Sequence, residues 1–433
     1  LSGILQLMFN AVDIIVVGRF TGSSALAAVG STTALINVFT NLFIGISLGA
    51  NVLAARFYAA GREKEMSETV HTAIALALVS GLIMAVVGVV FAKGALILMD
   101  TPADVIGQSA LYMRIYFVGM PFFMLYNYGA AILRAVGDTK RPLIFLIVSG
   151  VINALLNLFL VIVCDMGVAG VAIATAASRL IELAACVIVS FLSKDVKLNL
   201  TFMFIRSKVL FGDFVRLSLP ALGNDISWSV AFSMYSVILG HLGTDAVAAN
   251  SLVTVVRNIG SVFCFAIASA GTILLGNVMG KGDLEKSKVY ASRMLKMTII
   301  AGAIGGVIVF AITPLVLRFA SLSDGAMHYL KYMLLINTYY IMGSAVNTAL
   351  IAGVFRAGGD TKFGLICDTI DMWVYAVPLG FFAAFVLKLP VLWVYFLLCT
   401  DEFVKWPWVF HHYRQGKWAQ NITREDLFEQ KAS

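Results

Sequence analysis

The chain has 433 residues, of which 60% are hydrophobic and only 13% are charged. A soluble domain carries about 25% charged residues, so this composition excludes an ordinary soluble fold. The five cysteines occur singly in apolar segments, and the five histidines show no metal-ligand spacing. The sequence contains no P-loop or GxGxxG motif, so it offers no sign of a cofactor-dependent enzyme.

Apolar runs of about 20 residues follow one another along the chain, and each is long enough to cross a hydrocarbon core of ~30 Å. Because the runs are continuous rather than alternating, they predict helices and not a β-barrel. We predict an all-α membrane protein with twelve transmembrane helices at 1–19, 24–53, 70–92, 106–132, 142–164, 167–192, 217–240, 245–277, 290–317, 328–354, 364–387 and 390–411. The chain starts at Leu1 inside an apolar run, so we expect the natural chain to be longer.

Basic residues are concentrated in one set of loops, for example at Arg62 and Lys64 and again at Lys281, Lys286 and Lys288. The positive-inside rule makes these loops cytoplasmic. An even number of spans then places both termini in the cytoplasm, and we expect a multi-pass protein of the plasma (inner) membrane. The net charge of +7 follows from this topology, so we expect no nucleic-acid partner.

Two halves of the chain repeat each other. The segment "ILRAVGDTKRP" (132–142) returns as "VFRAGGDTKFG" (354–364), and "GRFTGSSALAAV" (18–29) returns as "GHLGTDAVAAN" (240–250). Six spans per copy keep both copies in the same orientation, so two pseudo-twofold-related six-helix lobes are predicted. The predicted domains are an N-terminal lobe at 1–192, a cytoplasmic linker at 193–216, a C-terminal lobe at 217–413 and a cytoplasmic tail at 414–433. This organisation favours an alternating-access carrier that binds its substrate between the lobes.

Asp13 lies within the apolar stretch "LMFNAVDIIVVGRF" of the first predicted span. Burial of a charge there costs ~2.5–3.5 kcal/mol, which is similar to the cost of keeping an ordinary Asp neutral at pH 7. Because the charged and neutral forms of this carboxyl group then have similar costs, it suits reversible binding of a proton or cation. The alternative is an Asp that caps a helix break.

Neutral polar side chains mark the fifth and sixth predicted spans. Asn153 and Asn157 are one turn apart on one helix face, and Thr175 lies in the next span. Their oxygens suit an ionised carboxylate or a hard cation. The alternative is that they serve as hydrogen bonds between helices.

The second half carries a different polar set. Asn224 and Asp225 lie in the seventh predicted span, and Asp368 and Asp371 lie three apart in the eleventh. Arg257 in the eighth span is the expected partner of these acids. We predict either substrate binding or a structural Asp–Arg network here.

Two further groups of charged residues have structural interpretations. Arg179 and Glu182 are three apart in the sixth span and are expected to form an ion pair. Asp401, Glu402 and Lys405 are expected to form a boundary cluster near the cytoplasmic end of the last span, with a role in gating as the alternative.

The chain resembles the multidrug and toxic compound extrusion (MATE) family. The resemblance rests on "VDIIVVGRFTGSSALAAVG", the twin segments "LRAVGDTKRP" and "FRAGGDTKFG", "NALLN" followed by "GVAGVAIAT", and "LGTDAVAAN". It implies export of amphipathic, often cationic compounds in exchange for H⁺ or Na⁺. It also implies that Asp13, Asn153 and Thr175 belong to the coupling-ion site, which would need no other cofactor and no metal beyond a possible Na⁺ at Asp13.

One departure from the family bears on the coupling ion. Relatives that resemble the archaeal type carry a second aspartate where this chain has Asn157, and the Na⁺-coupled type has acids near the positions of Trp228 and Ala345. We therefore favour H⁺. The competing interpretations are a lipid-linked precursor flippase of the wider superfamily and a membrane enzyme that uses Asp225, Asp368 and Asp371. The expected partners are small amphipathic substrates and the lipid bilayer, and we expect a monomer.

Overall fold

The computed structural model describes residues 49–98, 105–192, 208–320 and 322–419. It also describes Val16, Val17, Phe20, Thr21, Ala25, Ala28, Val29, Thr32, Ile36 and Ser47. Every regular element in these parts of the chain is a helix. Contacts divide the chain into two compact units, Leu1–Val215 and Arg216–Ser433.

The N-terminal unit contains a helical stretch at 49–59 followed by five long helices. These are α1 (Glu63–Leu98), α2 (Ile106–Val118), α3 (Met120–Ala135), α4 (Lys140–Leu158) and α5 (Gly167–Leu192). A π-helical turn, Phe159–Val163, continues α4.

In the C-terminal part the helices are α6 (Lys208–Leu242), α7 (Thr244–Gly280), α8 (Leu284–Phe319) and α9 (Asp324–Asn347). A π-helical stretch, Thr348–Phe355, and the short α10 (Arg356–Gly358) extend α9. They are followed by α11 (Thr361–Ile370) with π-helical Asp371–Ala376, and by α12 (Val377–Phe381) with π-helical Phe382–Val386. The last elements are α13 (Val391–Leu398), α14 (Asp401–Val404) and α15 (Trp406–Gln415).

Seven helices in the described residues are long and apolar enough to cross a membrane. They are Glu63–Ile97, Lys140–Val163, Gly167–Ser190, Thr244–Gly280, Leu284–Arg318, Asp324–Gly358 and Thr361–Val386. An eighth crossing results if α2 and α3, which are bent by 45°, form one span. The prediction of an all-α membrane protein is confirmed, whereas the count of twelve is not fully confirmed, because much of the first two predicted spans lies outside the described residues.

Two predicted spans are not single straight helices. The span predicted at 106–132 bends at Gly119, where Pro121 occupies the first turn of α3. The span predicted at 390–411 consists of the three short helices α13, α14 and α15, and Pro407 lies in the first turn of the last one. Proline lacks the backbone N–H that would continue the preceding helix, which explains why a break falls before each of them.

Glycines allow α7, α8 and α9 to approach one another closely. A Cβ atom built at Gly306 would lie 2.7 Å from the carbonyl oxygen of Thr338, and one at Gly305 would collide with the carbonyl oxygen of Gly260. Small residues at such crossings are typical of membrane helices, because van der Waals packing drives their association. The C-terminal core therefore depends on backbone-to-backbone contact at these points.

Candidate functional site

The N-terminal unit brings three predicted site residues together between α4 and α5. The Asn157 amide donates to Oδ1 of Asn153 over 3.1 Å, and the Asn153 amide donates to Oγ1 of Thr175 over 3.4 Å. All three side chains are buried. Asp13, the carboxylate expected to complete this group, lies outside the described residues.

Helix spacing produces this arrangement. Asn153 and Asn157 are one turn apart on α4, and α5 packs against the end of the same helix. Gly170 permits the contact, since a Cβ there would lie 3.1 Å from the Cβ of Leu160. Thr175 also donates to the carbonyl of Val171 over 3.0 Å, which fixes the direction of its hydroxyl oxygen.

The polar stripe on α4 continues to Ser149, one turn before Asn153. Ser149 donates to Oε1 of Glu182 on α5. The Arg179 guanidinium lies 3.1 and 3.0 Å from the two oxygens of the same carboxylate, which confirms the ion pair expected from the sequence. Arg179 also lies over the ring of Phe123, 4.7 Å from its centroid. This network pairs one acid with one base and joins three helices.

The C-terminal unit contains a buried cluster of charges around Lys405. The Lys405 ammonium lies 3.0 Å from Oδ1 of Asp368, 3.4 Å from Oε2 of Glu402 and 3.6 Å from Oδ2 of Asp371. None of these four side chains is more than 4% exposed. One ammonium therefore faces three carboxylates away from water.

Further groups support this acid cluster from neighbouring helices. Asn224 donates to Oδ2 of Asp368 over 3.0 Å, and Asn347 donates to the Glu402 carbonyl over 2.6 Å. The Tyr340 hydroxyl donates to Oε1 of Glu402 over 3.3 Å. The cluster is thus held by side chains from α6, α9, α11 and α14.

A fourth carboxylate, Asp401, lies next to the cluster and is fully buried. It accepts a hydrogen bond from the Tyr235 hydroxyl over 3.1 Å and another from the backbone N–H of Glu402 over 2.7 Å. Asp371 is less well supported, because neither of its oxygens has a hydrogen-bond donor among the described residues. It is the acid of this group with the least compensation for loss of water.

The expectation that Arg257 pairs with the acids of the second half is wrong. Asp225 instead forms an ion pair with Arg356 at 2.8 Å, and Asp368 and Asp371 lie beside Lys405. Arg257 lies over the rings of Phe232 and Tyr340, 4.9 and 5.5 Å from their centroids. Charge alone did not identify the partner, because Lys405 was predicted to lie near the cytoplasmic end of the last span and was not considered as a partner of these acids.

Asp401, Glu402 and Lys405, which were expected to form a boundary cluster, are buried inside the protein, and their position relative to the membrane boundary stays a prediction. These residues are 0%, 0% and 3% exposed. The segment runs on to Gln415, so the three residues fall in its middle and not at its edge. The sequence did contain a signal, namely the spacing of three between Glu402 and Lys405, which puts both on one face of a helix.

Sequence reasoning missed the supporting residues Asn347, Tyr235 and Tyr340. The internal repeat offers a partial signal for Tyr235, which aligns with Asp13 of the first half, and for Tyr375, which aligns with Asn153. The Tyr375 hydroxyl lies 3.0 Å from Oγ1 of Thr400, next to Asp401. Among the described residues, no group of three or more His, Cys, Asp or Glu side chains is arranged to hold a metal ion.

Comparisons with known proteins agree on one family. The profile of the MatE family matches residues 1–159 and 220–382. The chain is 29% identical over 405 residues to the probable multidrug resistance protein YoeA of Bacillus subtilis, covering 91% of this chain and 87% of that protein. It is 22% identical over 441 residues to the probable multidrug resistance protein NorM of Thermotoga maritima, covering 99% and 93%.

Solved structures share the fold. The MATE transporter VcmN of Vibrio cholerae in its bent form superposes with a TM-score of 0.87 at 16% identity, covering 96% of this chain and 94% of that one. A second structure, a MATE protein in the bent conformation, gives a TM-score of 0.86 at 20% identity, covering 95% and 92%.

Proposed function

Since this chain belongs to the MATE family of membrane transporters and is not an enzyme, we propose that it exports drugs or toxic compounds by alternating access. The exported compounds are amphipathic and often cationic. Export is driven by the inward movement of H⁺, with Na⁺ as the alternative coupling ion. The relatives that are named as probable multidrug resistance proteins support the export of drugs.

The observation that carries the proposal is the excess of buried carboxylates over bases in the C-terminal unit. Asp368, Asp371 and Glu402 share the single ammonium of Lys405. Uncompensated buried charge is costly, and a proton or a cation removes that cost when it binds. A purely structural network would be expected to balance its charges, as Arg179 and Glu182 do.

The coupling ion is proposed to bind at Asp13 in the N-terminal lobe, with Asn153, Asn157 and Thr175 as neutral partners. Na⁺ prefers several hard oxygens and gains from a second negative charge, whereas a proton needs one carboxylate. The described part of this site offers amide and hydroxyl groups only, which favours H⁺. Protonation would let the carboxylate change its exposure without carrying charge through the membrane.

The substrate is proposed to use the polar residues of the C-terminal lobe: Asn224, Asp225, Arg257, Asp368 and Asp371. Asp225 is the accessible acid of this set, since its side chain is 37% exposed and its partner Arg356 is 18% exposed. Asp371 is buried and has no hydrogen-bond donor in the part of the chain that the structure describes, so binding of an amphipathic cation or a proton there would be stabilised most.

The proposed molecule is a monomer of two six-helix lobes in the plasma (inner) membrane, with both termini in the cytoplasm. Its orientation rests on the positive-inside rule. In a cysteine-free chain, Lys281→Cys should react with a membrane-impermeant maleimide only after the cells are permeabilised. Labelling of intact cells would show that the topology is the opposite of the proposed one.

Transport in proteoliposomes tests the proposed function. A fluorescent amphipathic cation should move against its gradient when a pH gradient is imposed in Na⁺-free buffer. The Asp13→Asn variant should lose this uphill movement while it still inserts and folds, whereas Asp324→Asn, an exposed change in the first turn of α9, should transport normally. If the Asp13→Asn variant transports uphill at the wild-type rate, the role of Asp13 is structural.

A further inference from the structure

The C-terminal unit contains a cavity that the acid cluster does not fill. Its volume is about 120 Å³, and side chains of α6, α7, α9 and α13 form its walls. Four aromatic rings line it: Phe232, Tyr235, Tyr340 and Tyr395. A cavity of roughly 150 Å³ in another protein accommodates benzene, so this one has the scale of a single aromatic ring.

Arg257 is the one residue around this cavity, of those that the structure describes there, with a formal charge. Among the described residues it makes no ion pair with a carboxylate, and its guanidinium lies over Phe232 and Tyr340. Ring contacts of this kind offset only part of the cost of burying a cation. The guanidinium has five N–H donors in a fixed fork, and an anion in the cavity would complete its interactions.

Asp401 interacts electrostatically with Arg257, but none of the nearby acids forms an ion pair with it among the described residues, because tyrosines separate these acids from the cavity. The Tyr235 hydroxyl donates to Asp401 over 3.1 Å, and the Tyr340 hydroxyl donates to Glu402 over 3.3 Å. Both acids are fully buried. These tyrosine hydroxyls are therefore directed at the acid cluster, and the rings form the cavity walls.

The fourth ring follows the same pattern. The hydroxyl of Tyr395 accepts a hydrogen bond from Asn337 over 2.6 Å. Three of the four aromatic side chains thus have their polar atoms occupied by neighbouring residues. The lining also includes the neutral polar residues Ser236, Asn250 and Thr254, but Arg257 is its one cationic donor among the described residues.

We propose that this cavity binds an aromatic carboxylate, with the carboxylate on the Arg257 guanidinium and the ring among the four aromatic side chains. Planar bidentate pairing suits a carboxylate and arginine, and offset or edge-to-face contacts suit a ring in this box. A cationic group would be repelled by Arg257, so within the proposed substrate-binding set Arg257 would bind an anionic group of a ligand, whereas the acids would bind a cationic one. Calling the ligand a substrate rests on the proposed export function, and compounds that carry an aromatic carboxylate then join the cations as exported material.

Equilibrium binding to the purified full chain in nanodiscs tests this site without any transport step. The probes are benzoate and its neutral analogue benzamide, measured by calorimetry. Wild-type protein should bind benzoate more tightly than benzamide. Arg257→Gln should weaken benzoate binding by about 10- to 100-fold, the ratio expected when a hydrogen bond to a charged group is removed, and should leave benzamide binding unchanged.

A matched control and a second variant complete the design. Arg293→Gln removes an exposed arginine that also lies over a ring, 5.9 Å from the centroid of Tyr290, and should bind benzoate as the wild type does. If Arg257→Gln does not fold, Arg257→Lys replaces it in the test, because lysine keeps the positive charge but lacks the planar fork of N–H donors. Its benzoate affinity should fall by less than the loss of about 10- to 100-fold expected for Arg257→Gln. Equal benzoate affinity in wild-type and Arg257 variants would overturn the proposal, as would equal binding of benzoate and benzamide. If cation export fails but benzoate binding persists, the proposed export function is rejected and the proposed binding site is not.

Discussion

The Lys405 ammonium lies 3.0 Å from the Asp368 carboxylate, and neither side chain is more than 4% exposed. Asp371 and Glu402 lie within 3.6 and 3.4 Å of the same ammonium. In the N-terminal unit, by contrast, Arg179 forms an ion pair with one acid, Glu182, among the described residues. This difference in charge balance leads to the first two predictions.

Lys405→Met should lower the free energy of unfolding by about 3–5 kcal/mol, because removal of one partner leaves buried carboxylates uncompensated. The measurement is the melting temperature of the purified protein in detergent. Addition of Asp368→Asn to this variant should restore part of the loss, since the two residues are in direct contact.

Lys288→Gln is the matched control for Lys405→Met. Lys288 pairs with Glu285 at 2.6 Å with the same spacing of three residues as Lys405 and Glu402, but the two side chains are 50% and 84% exposed. Exposed pairs contribute at most about 1 kcal/mol. A Lys405 variant that melts like the Lys288 variant would contradict the description of a strongly interacting buried cluster.

Asp371→Asn should leave the melting temperature unchanged or raise it, because a neutral amide replaces a buried carboxylate that has no hydrogen-bond donor among the described residues. The same change should reduce uphill export of an amphipathic cation at least several-fold. Thermal melting and proteoliposome transport measure the two effects. A marked loss of stability with export intact would make Asp371 a structural residue.

Asn157→Asp should make export respond to Na⁺. The change adds a second carboxylate, besides the proposed one of Asp13, next to Asn153 and Thr175. In the wild type the amide of Asn157 lies there, 3.1 Å from Oδ1 of Asn153. Export rates with and without a Na⁺ gradient give the readout. Gln108→Glu adds the same charge at the exposed first turn of α2 and should show no Na⁺ response. An Asn157→Asp variant that remains indifferent to Na⁺ would argue against this site as the place of coupling.

Gly306→Ala should destabilise the C-terminal unit by roughly 1–3 kcal/mol, the usual cost of overpacking. The added methyl would lie 2.7 Å from the Thr338 carbonyl oxygen, so α8 and α9 would have to separate. Gly94→Ala is the control, because a Cβ at Gly94 has no neighbour within 4 Å among the described residues. If the melting temperature falls equally in both variants, the close crossing of α8 and α9 does not account for the effect of Gly306→Ala.

Apolar runs predicted most of the observed helices well, because length and hydropathy are decided locally. The span predicted at 167–192 coincides with α5, Gly167–Leu192, and Asn153 and Thr175 lie together, as the family resemblance implied. The bend at Gly119 and the breaks around Thr400 were harder to predict. They depend on how short turns pack and not on hydropathy.

Charge partners could not be derived from the sequence in the same way. Arg257 was expected to meet the acids of the second half, yet Lys405 takes that position, because the broken last segment brings its middle and not its end to α11. An ion pair between distant segments depends on tertiary geometry, which periodicity within one helix does not contain. Pairs within one segment, such as Arg179 with Glu182 and Glu402 with Lys405, were visible as a spacing of three.

We propose that substrate export and proton entry are coupled in a single antiport cycle. The most direct measurement is the internal pH of proteoliposomes that contain a pH-sensitive dye, after an amphipathic cation is added in Na⁺-free buffer. We predict that the cation gradient drives protons in the opposite direction, and that Asp13→Asn abolishes this flux. A cation gradient that moves no protons, but drives Na⁺ when Na⁺ is supplied, would contradict it.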